Sequence, residues 1–411
     1  MKYLIPTIIC LMLLTVSEGQ KTPLYDNYLH VIDLDKTVPE IPLSEVFESI
    51  TPIVLEAKRG SLINLGIIDI VVTPEYIIVR DYLRSLFLFK RDGTFVHNFG
   101  GISGFTYFCY DNTTSTVYTL SGRVMPNDVC TVNMYNIRTG KLLKTIQLKG
   151  NNIDNPKIYC NNGELYVGLC DATRENPNGH FTLHKINQKT GEIGEVWFNF
   201  EIDVYHDPFI FSDEKSFKSF PRFGNGILSI EKGTGKITPF LYFTPKYTFT
   251  PEDYTGTSET EGIKATSNVT FGNGIDWDKI SNTNKVYSVG KYFEHKDLVF
   301  MDNVSWGKTR KQILYDKKTK DFKYVSDFDD LFYKRERGDG DPKYNIGDAN
   351  AQDDNGLFML QGTQSAQSAA YALKQLLEKD LISDKFKSAA IKLSNIEEGS
   401  NYVILYYKFK K

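Results

Sequence analysis

Short runs of alternating apolar and polar residues recur along the chain, and they come in pairs around a tight turn. "LFKRDGTFVHNF", "YNIRTGKLLKTI", "KINQKTGEIGEVWF", "SIEKGTGKITPFLYF" and "LYDKKTKDFKYV" are five versions of one pattern. A period of two predicts half-buried β-strands. The Asp-Gly or Thr-Gly between the runs predicts a hairpin, because glycine takes positive φ without a Cβ clash. Gly93, Gly140, Gly191 and Gly235 mark successive turns about 47 residues apart, and Lys320 holds the same place in the fifth copy.

Each repeat reads as four strands. The first copy gives Ile67–Val72, Tyr76–Arg80, Ser85–Phe89 and Thr94–Phe99. The second gives Phe105–Tyr110, Thr116–Leu120, Val129–Tyr135 and Lys141–Leu148, and the third Pro156–Cys160, Glu164–Leu169, Phe181–Ile186 and Glu192–Phe198. A four-stranded sheet with two apolar faces must stack on its neighbours, so this period predicts an all-β fold, a β-propeller of four-stranded antiparallel blades. Two segments interrupt the pattern. Residues 244–285 are polar and rich in Thr, Gly and Asn, as in a loop insertion. Residues 365–392 place Ala366, Ala369, Ala370, Leu373, Leu376 and Leu377 at helical spacing, as in a helical insertion. With these set aside, the chain from Ile67 onward holds about six units. The last unit supplies only three strands: Tyr344–Asp348, Gly356–Gln361 and Tyr402–Phe409. The strand-like Ile50–Ala57 is therefore expected to complete it and close the ring.

Composition adds a compartment more than a function. The formal net charge of -3 gives no basic field for nucleic acid. Lys2, the apolar run Tyr3–Val16 and the small residues Ser17 and Gly19 read as a cleaved secretory signal over residues 1–19. That leaves residues 20–411 as a single propeller domain, exported to the periplasm or beyond and expected to be a monomer. The run is shorter than the ~20 residues of a spanning helix, and Ile9 before Cys10 disfavours a lipidated cysteine. Cys109, Cys130, Cys160 and Cys170 remain after cleavage. They allow three disulfide connectivities and show no CxxC spacing. Their strand context favours small buried thiols.

Candidate chemistry is sparse. His180 and His184 stand ~13 Å apart along an extended strand, too far for one metal. His206, in "DVYHDPF", is the best lone histidine for a binding role. Asp339 with Asp341, and Asp348 with Asp353 and Asp354, lack the spacing of a calcium loop and read as solvated charge. No nucleophile elbow, Walker loop or dinucleotide fingerprint follows a suitable strand. The segment Phe240–Tyr254, "FLYFTPKYTFTPEDY", is the most suggestive. Leu241–Phe243 read as core, whereas Tyr247, Phe249 and Tyr254 offer flat faces for a sugar or peptide. Trp306 joins them as a residue of the core or the rim.

Ile41-Pro42-Leu43-Ser44, Leu55-Glu56, "SLFLFKRDGTFV" at Ser85–Val96, "LYDKKTKDF" at Leu314–Phe322 and a Leu-rich helix before the final strand occur in an order that resembles the secreted, NHL-like six-bladed propellers of gut Bacteroidetes. The resemblance covers essentially the whole mature chain. It implies six blades and an envelope or extracellular location, with no agreed activity. Gly100-Gly101-Ile102-Ser103-Gly104-Phe105 departs from that family's Gly-Pro-Gly-Glu-Tyr turn, and Gly399-Ser400-Asn401 from its Asp-Asn-Pro. In a bacterial chain the sequons at Asn112, Asn268 and Asn303 are silent.

The expected function is a noncatalytic binding or scaffold propeller that recognises a glycan, a peptide or an envelope protein, with no cofactor and no metal. The alternative is a channel-metal hydrolase or lyase of the kind seen in lactonase-like and amidating-lyase-like propellers.

Overall fold

The computed structural model describes residues 28–410 except 65, 100–104, 122–128, 150–155, 171–179, 202–208, 213–214, 221–225, 245–285, 337, 339–340, 343, 345, 362–365 and 397–400. Six antiparallel sheets of four strands stand in a ring, the six-bladed propeller that the repeat predicts. Blade 1 is Ile67–Val72, Tyr76–Asp81, Leu86–Lys90 and Phe95–Asn98, paired in that order from the channel outward. The first strands of the other blades are Phe105–Asp111, Lys157–Asn161, Phe209–Ser212, the split pair Val286–Ser288 and Lys291–His295, and Ile346–Asp353. The expected strands of blades 1 to 3 match the observed ones within a few residues.

The apolar side chains sit where alternation predicts, in the seams between blades. Ile78, Leu88, Phe108 and Tyr135 fill the seam between blades 1 and 2. Leu120, Val132, Ile158 and Val167 fill the next. Phe240, Tyr292 and Ile313 lie between blades 4 and 5, and Ile77, Phe89, Phe358 and Ile404 between blades 6 and 1. Second and third strands such as Tyr76–Asp81, Leu86–Lys90 and Thr116–Ser121 thus bury both faces, one against each neighbour, whereas the fourth strand Leu142–Gln147 stays largely exposed.

The recurring turn glycine has a second use besides its φ. Gly93, Gly140, Gly191 and Gly235 all have positive φ, and Lys320 takes φ 61° in the fifth copy. A Cβ on Gly93 would lie 2.1 Å from the Val54 carbonyl oxygen, and one on Gly191 1.9 Å from that of Gln147. Gly140 abuts the His97 ring in the same way. In each case the hairpin of one blade is pressed onto the fourth strand of the blade before it. The Glu56 N–H donates to the Gly93 carbonyl (2.9 Å) and the Lys149 N–H to the Gly191 carbonyl (2.8 Å), which fixes the docking.

Ring closure occurs as expected, with a shift. The closing strand is Phe47–Val54 rather than Ile50–Ala57. It pairs antiparallel with Val403–Phe409 from Phe47 opposite Phe409 to Val54 opposite Val403. Phe47 drives the shift: it is fully buried among Phe300, Tyr407 and Phe409. Pro52 is tolerated because this is an edge strand. Two short strands had no sequence signal. His30–Asp33 adds in parallel to the outer edge of blade 4, and Glu40–Ile41 to that of blade 5. The chain before blade 1 therefore straps blades 4, 5 and 6 in succession.

The helical insertion is two helices, Ala366–Glu378 and Asp384–Ser394, instead of one continuous segment. Asp380 at φ 51° ends the first, and Ser383 caps the second by accepting from the Phe386 N–H (3.3 Å). Leu373, Leu376, Phe386 and Leu393 pack on Phe332, Tyr344 and Leu405 in the seam of blades 5 and 6. The loop insertion and the expected leader lie outside the described residues.

Candidate functional site

Antiparallel pairing sorts the blade ends. First strands begin, and second strands end, at one end of the ring, called the upper end below. The docked glycine turns lie at the lower end.

Of the residues singled out in the sequence, Tyr247, Phe249, Tyr254 and His206 lie outside the described residues. Leu241, Tyr242 and Phe243 are buried in Ile237–Thr244, the fourth strand of blade 4, as expected of core. Trp306 ends the second strand of blade 5, Leu298–Trp306. Its ring stacks on Tyr324 at 6.2 Å and packs, half-buried, against the seam of blades 4 and 5. His184 has both ring nitrogens engaged, with the Gly194 carbonyl and the Thr182 hydroxyl at 3.0 Å each. Asp353 is paired with Arg91, and Asp341 with Lys379 and Arg335. Among the described residues, no three His, Cys, Asp or Glu side chains converge as a metal site would require.

What the ring does bring together at the upper end is a row that the sequence did not reveal. Arg80, near the end of the second strand of blade 1, places its guanidinium 5.8 Å from the centre of the Tyr107 ring on the first strand of blade 2. Lys157, which opens the first strand of blade 3, places its ammonium 5.6 Å from the same ring. Asp69, on the first strand of blade 1, lies 3.9 Å from Arg80. One aromatic ring thus lies between two cations from the flanking blades, with Tyr107 and Lys157 on channel-lining first strands and Arg80 on the second strand of its blade. Cations are held by the negative face of the ring, and each such contact is worth about 0.5–2 kcal/mol depending on desolvation. Separations of some 27 and 50 residues hide this grouping in the sequence.

A second charged cluster lies at the lower end, in the seam of blades 4 and 5. Glu294 accepts from the Tyr292 hydroxyl (2.6 Å) and from Lys317 (2.8 Å), and Lys218 stands 3.5 Å away. Burial raises the Glu294 carboxyl, but these partners outweigh it and hold the group below its ordinary value. The almost fully buried Lys218 also donates to Ser216 (2.9 Å) and Ser229 (3.1 Å) and lies over the Phe240 ring. Gln352 of blade 6 brackets the backbone of Glu294 on both sides, at 3.1 and 3.2 Å. Every charge here has a partner, so the cluster ties three blades together instead of offering a vacancy.

No family model matches the chain, and no curated protein does. Solved structures with a similar course include the Dos1 propeller, with 9% identity over 63% of this chain and 56% of that one, at a TM-score of 0.34. An acylaminoacyl peptidase of Pyrococcus horikoshii aligns over 74% of this chain and 42% of its own, with 8% identity and a TM-score of 0.38. A functionally unknown protein from Desulfotomaculum acetoxidans DSM 771 aligns over 63% and 69%, with 13% identity and a TM-score of 0.32. The match thus spans about half the length of the first two.

Proposed function

We propose that this chain is an exported propeller that binds a ligand without transforming it, and that the upper end of the ring is the binding face. The observation that supports this reading is the Arg80–Tyr107–Lys157 row at the upper end of the ring. Two cations around one ring favour an acidic partner, such as a carboxylate-bearing glycan or an acidic peptide of an envelope protein. The strands that flank His206 and the aromatic run Tyr247, Phe249, Tyr254 in sequence also stop at this end, at Phe209 and Thr244. Those four residues are proposed as the outer contacts, where flat rings supply area at little entropic cost. The likeness to secreted propellers of gut Bacteroidetes accords with an envelope setting, and the chain acts as a monomer.

The test is binding of the mature protein to arrays of acidic and neutral glycans and of peptides. Tyr107→Ala with Lys157→Ala is expected to abolish retention of acidic probes, and Tyr247→Ala with Tyr254→Ala to weaken it. Retention unchanged in both variants would remove the upper end from consideration. A stoichiometric metal in purified protein, lost together with turnover of a lactone or amide, would favour the hydrolase or lyase reading instead.

A further inference from the structure

All four cysteines of the mature chain fall in blades 2 and 3. The fold separates two of them from the rest. Cys109 lies on Phe105–Asp111 and Cys160 on Lys157–Asn161, the channel-lining strands of adjacent blades, which run side by side. Cys109 stands opposite Tyr118, and Cys160 opposite Leu165, within their own blades. Both pack against the same apolar seam. The alignment of the two strands is pinned just beyond them. The Asp111 carboxylate accepts from the Gly163 N–H, and the Thr113 hydroxyl donates to the Asn162 side-chain carbonyl at 3.0 Å. Cys130 is buried in the same seam but stands before the third strand of blade 2, toward the upper end.

We propose that Cys109 and Cys160 are a modification site: they close a disulfide across blades 2 and 3 when the chain meets a disulfide-bearing oxidant. The structure shows the reduced pair. Two thiols in one seam on adjacent strands, with the alignment pinned just beyond them, form a disulfide when their Cα atoms come within about 4.4–6.8 Å. The oxidant is a dithiol oxidoreductase in its disulfide form, or glutathione disulfide. Cys160, as thiolate, attacks one sulfur of that disulfide and expels the other as thiolate, giving a mixed disulfide. Cys109 then loses its proton and attacks the Cys160 sulfur, expelling the second thiolate of the oxidant. Two electrons pass to the oxidant, and two protons leave the cysteines and reprotonate its thiolates. Burial pushes the Cys109 thiol well up, which suits it to the second, intramolecular step, where proximity offsets a small thiolate fraction.

Such a bond would link the walls of the channel directly beneath the Arg80–Tyr107–Lys157 row. It stands independently of any ligand at the upper end.

The experiment uses the full mature chain, purified with reductant and then held in glutathione redox buffers. Free thiols are alkylated before digestion without reduction, and linked peptides are identified by mass. The expected result is a single link between the Cys109 and Cys160 peptides, unaffected by Cys130→Ser and lost in Cys160→Ser. Oxidation should raise the thermal midpoint of the wild type by a few degrees and leave that of Cys109→Ser unmoved. Circular dichroism confirms that each variant is folded. Alkylation of both cysteines after oxidation, or a link from Cys109 to Cys130 or Cys170, would overturn the assignment.

Discussion

The seam between blades 2 and 3 and the seam between blades 6 and 1 perform the same packing task with different means. In the first, the chain runs directly from one blade to the next. The seam is mostly apolar, with a few edge hydrogen bonds such as the Lys144 ammonium to the Gln188 carbonyl (2.6 Å). In the second, only the fourth strand of blade 6, Phe47–Val54, runs on into blade 1, while the other three strands of blade 6 come from the far end of the chain, and polar ties multiply. The buried Asn401 amide donates to the Glu56 and Ser61 carbonyls (2.8 and 2.7 Å), and its oxygen accepts from the Ile63 N–H (3.0 Å). Arg91 of blade 1 pairs with Asp353 of blade 6 and lies 4.5 Å from the centre of the Phe358 ring. The Tyr406 hydroxyl also reaches Asp353 (3.2 Å). Three strands of blade 6 reach this seam without a direct link to blade 1, so directional bonds add registry to that supplied by the connection from Val54 to Ile67.

The most severe way to break this contrast is to remove residues 1–54. Without Phe47–Val54, blade 6 loses its fourth strand and the seam facing blade 1 is opened. The expected outcome is loss of the cooperative unfolding transition, with exposed apolar surface reported by dye binding.

Next comes Asn401→Ala, which leaves two carbonyls and one N–H without their partner at a buried site. It should cost about 3 kcal/mol, measured by denaturant unfolding. An effect below about 1 kcal/mol would mean that the amide is not what sets the joint.

Gly93→Ala and Gly191→Ala compare the two seams directly, since both add a Cβ against a carbonyl of the preceding blade at positive φ. Each should cost about 2 kcal/mol or more, with the larger loss at Gly93, where the displaced strand is the closing one.

A pH experiment tests a third seam. Asp329, between blades 5 and 6, accepts from the Tyr407 hydroxyl and from the Leu331 and Phe332 N–H groups. Burial still raises its carboxyl to about 6 from an ordinary 3.8. A raised folded value means that the native state binds the proton more tightly, so this group favours folding increasingly as pH falls from 7 through 6. The thermal midpoint of the wild type minus that of Asp329→Asn should therefore grow on acidification from pH 7 to 5. A constant difference would contradict the shift.

The smallest expected effect is a gain. Lys320→Gly relieves a positive φ at an exposed turn and should stabilise by about 0.5–1 kcal/mol.

Much of this architecture is legible in the residues because a propeller is local at the level of the blade. Strands pair with sequence neighbours, and a turn that needs positive φ advertises itself as Gly93, Gly140, Gly191 or Gly235. The legibility fails where the partner is remote. Nothing in "HVID" at His30–Asp33 announces a parallel pairing with Leu241–Thr244, and two residues at Glu40–Ile41 are too few for any periodicity. The break between the C-terminal helices was hidden because Leu381 and Phe386 continue an apolar pattern across it. The row at the upper end escaped for a related reason: Arg80, Tyr107 and Lys157 each look like ordinary strand residues until three blades are placed side by side. Trp306, read from the sequence as a residue of the core or the rim, stacks on Tyr324.

The strap from His30 to Val54 imposes an order on biogenesis. The strap must wait for residues made much later, because Phe47 cannot pair with Phe409 until Phe409 has been made. Any carrier that delivers this chain as a linear thread has to keep its leading segment from premature partners for the whole length of the journey, and only its final strand releases it to settle.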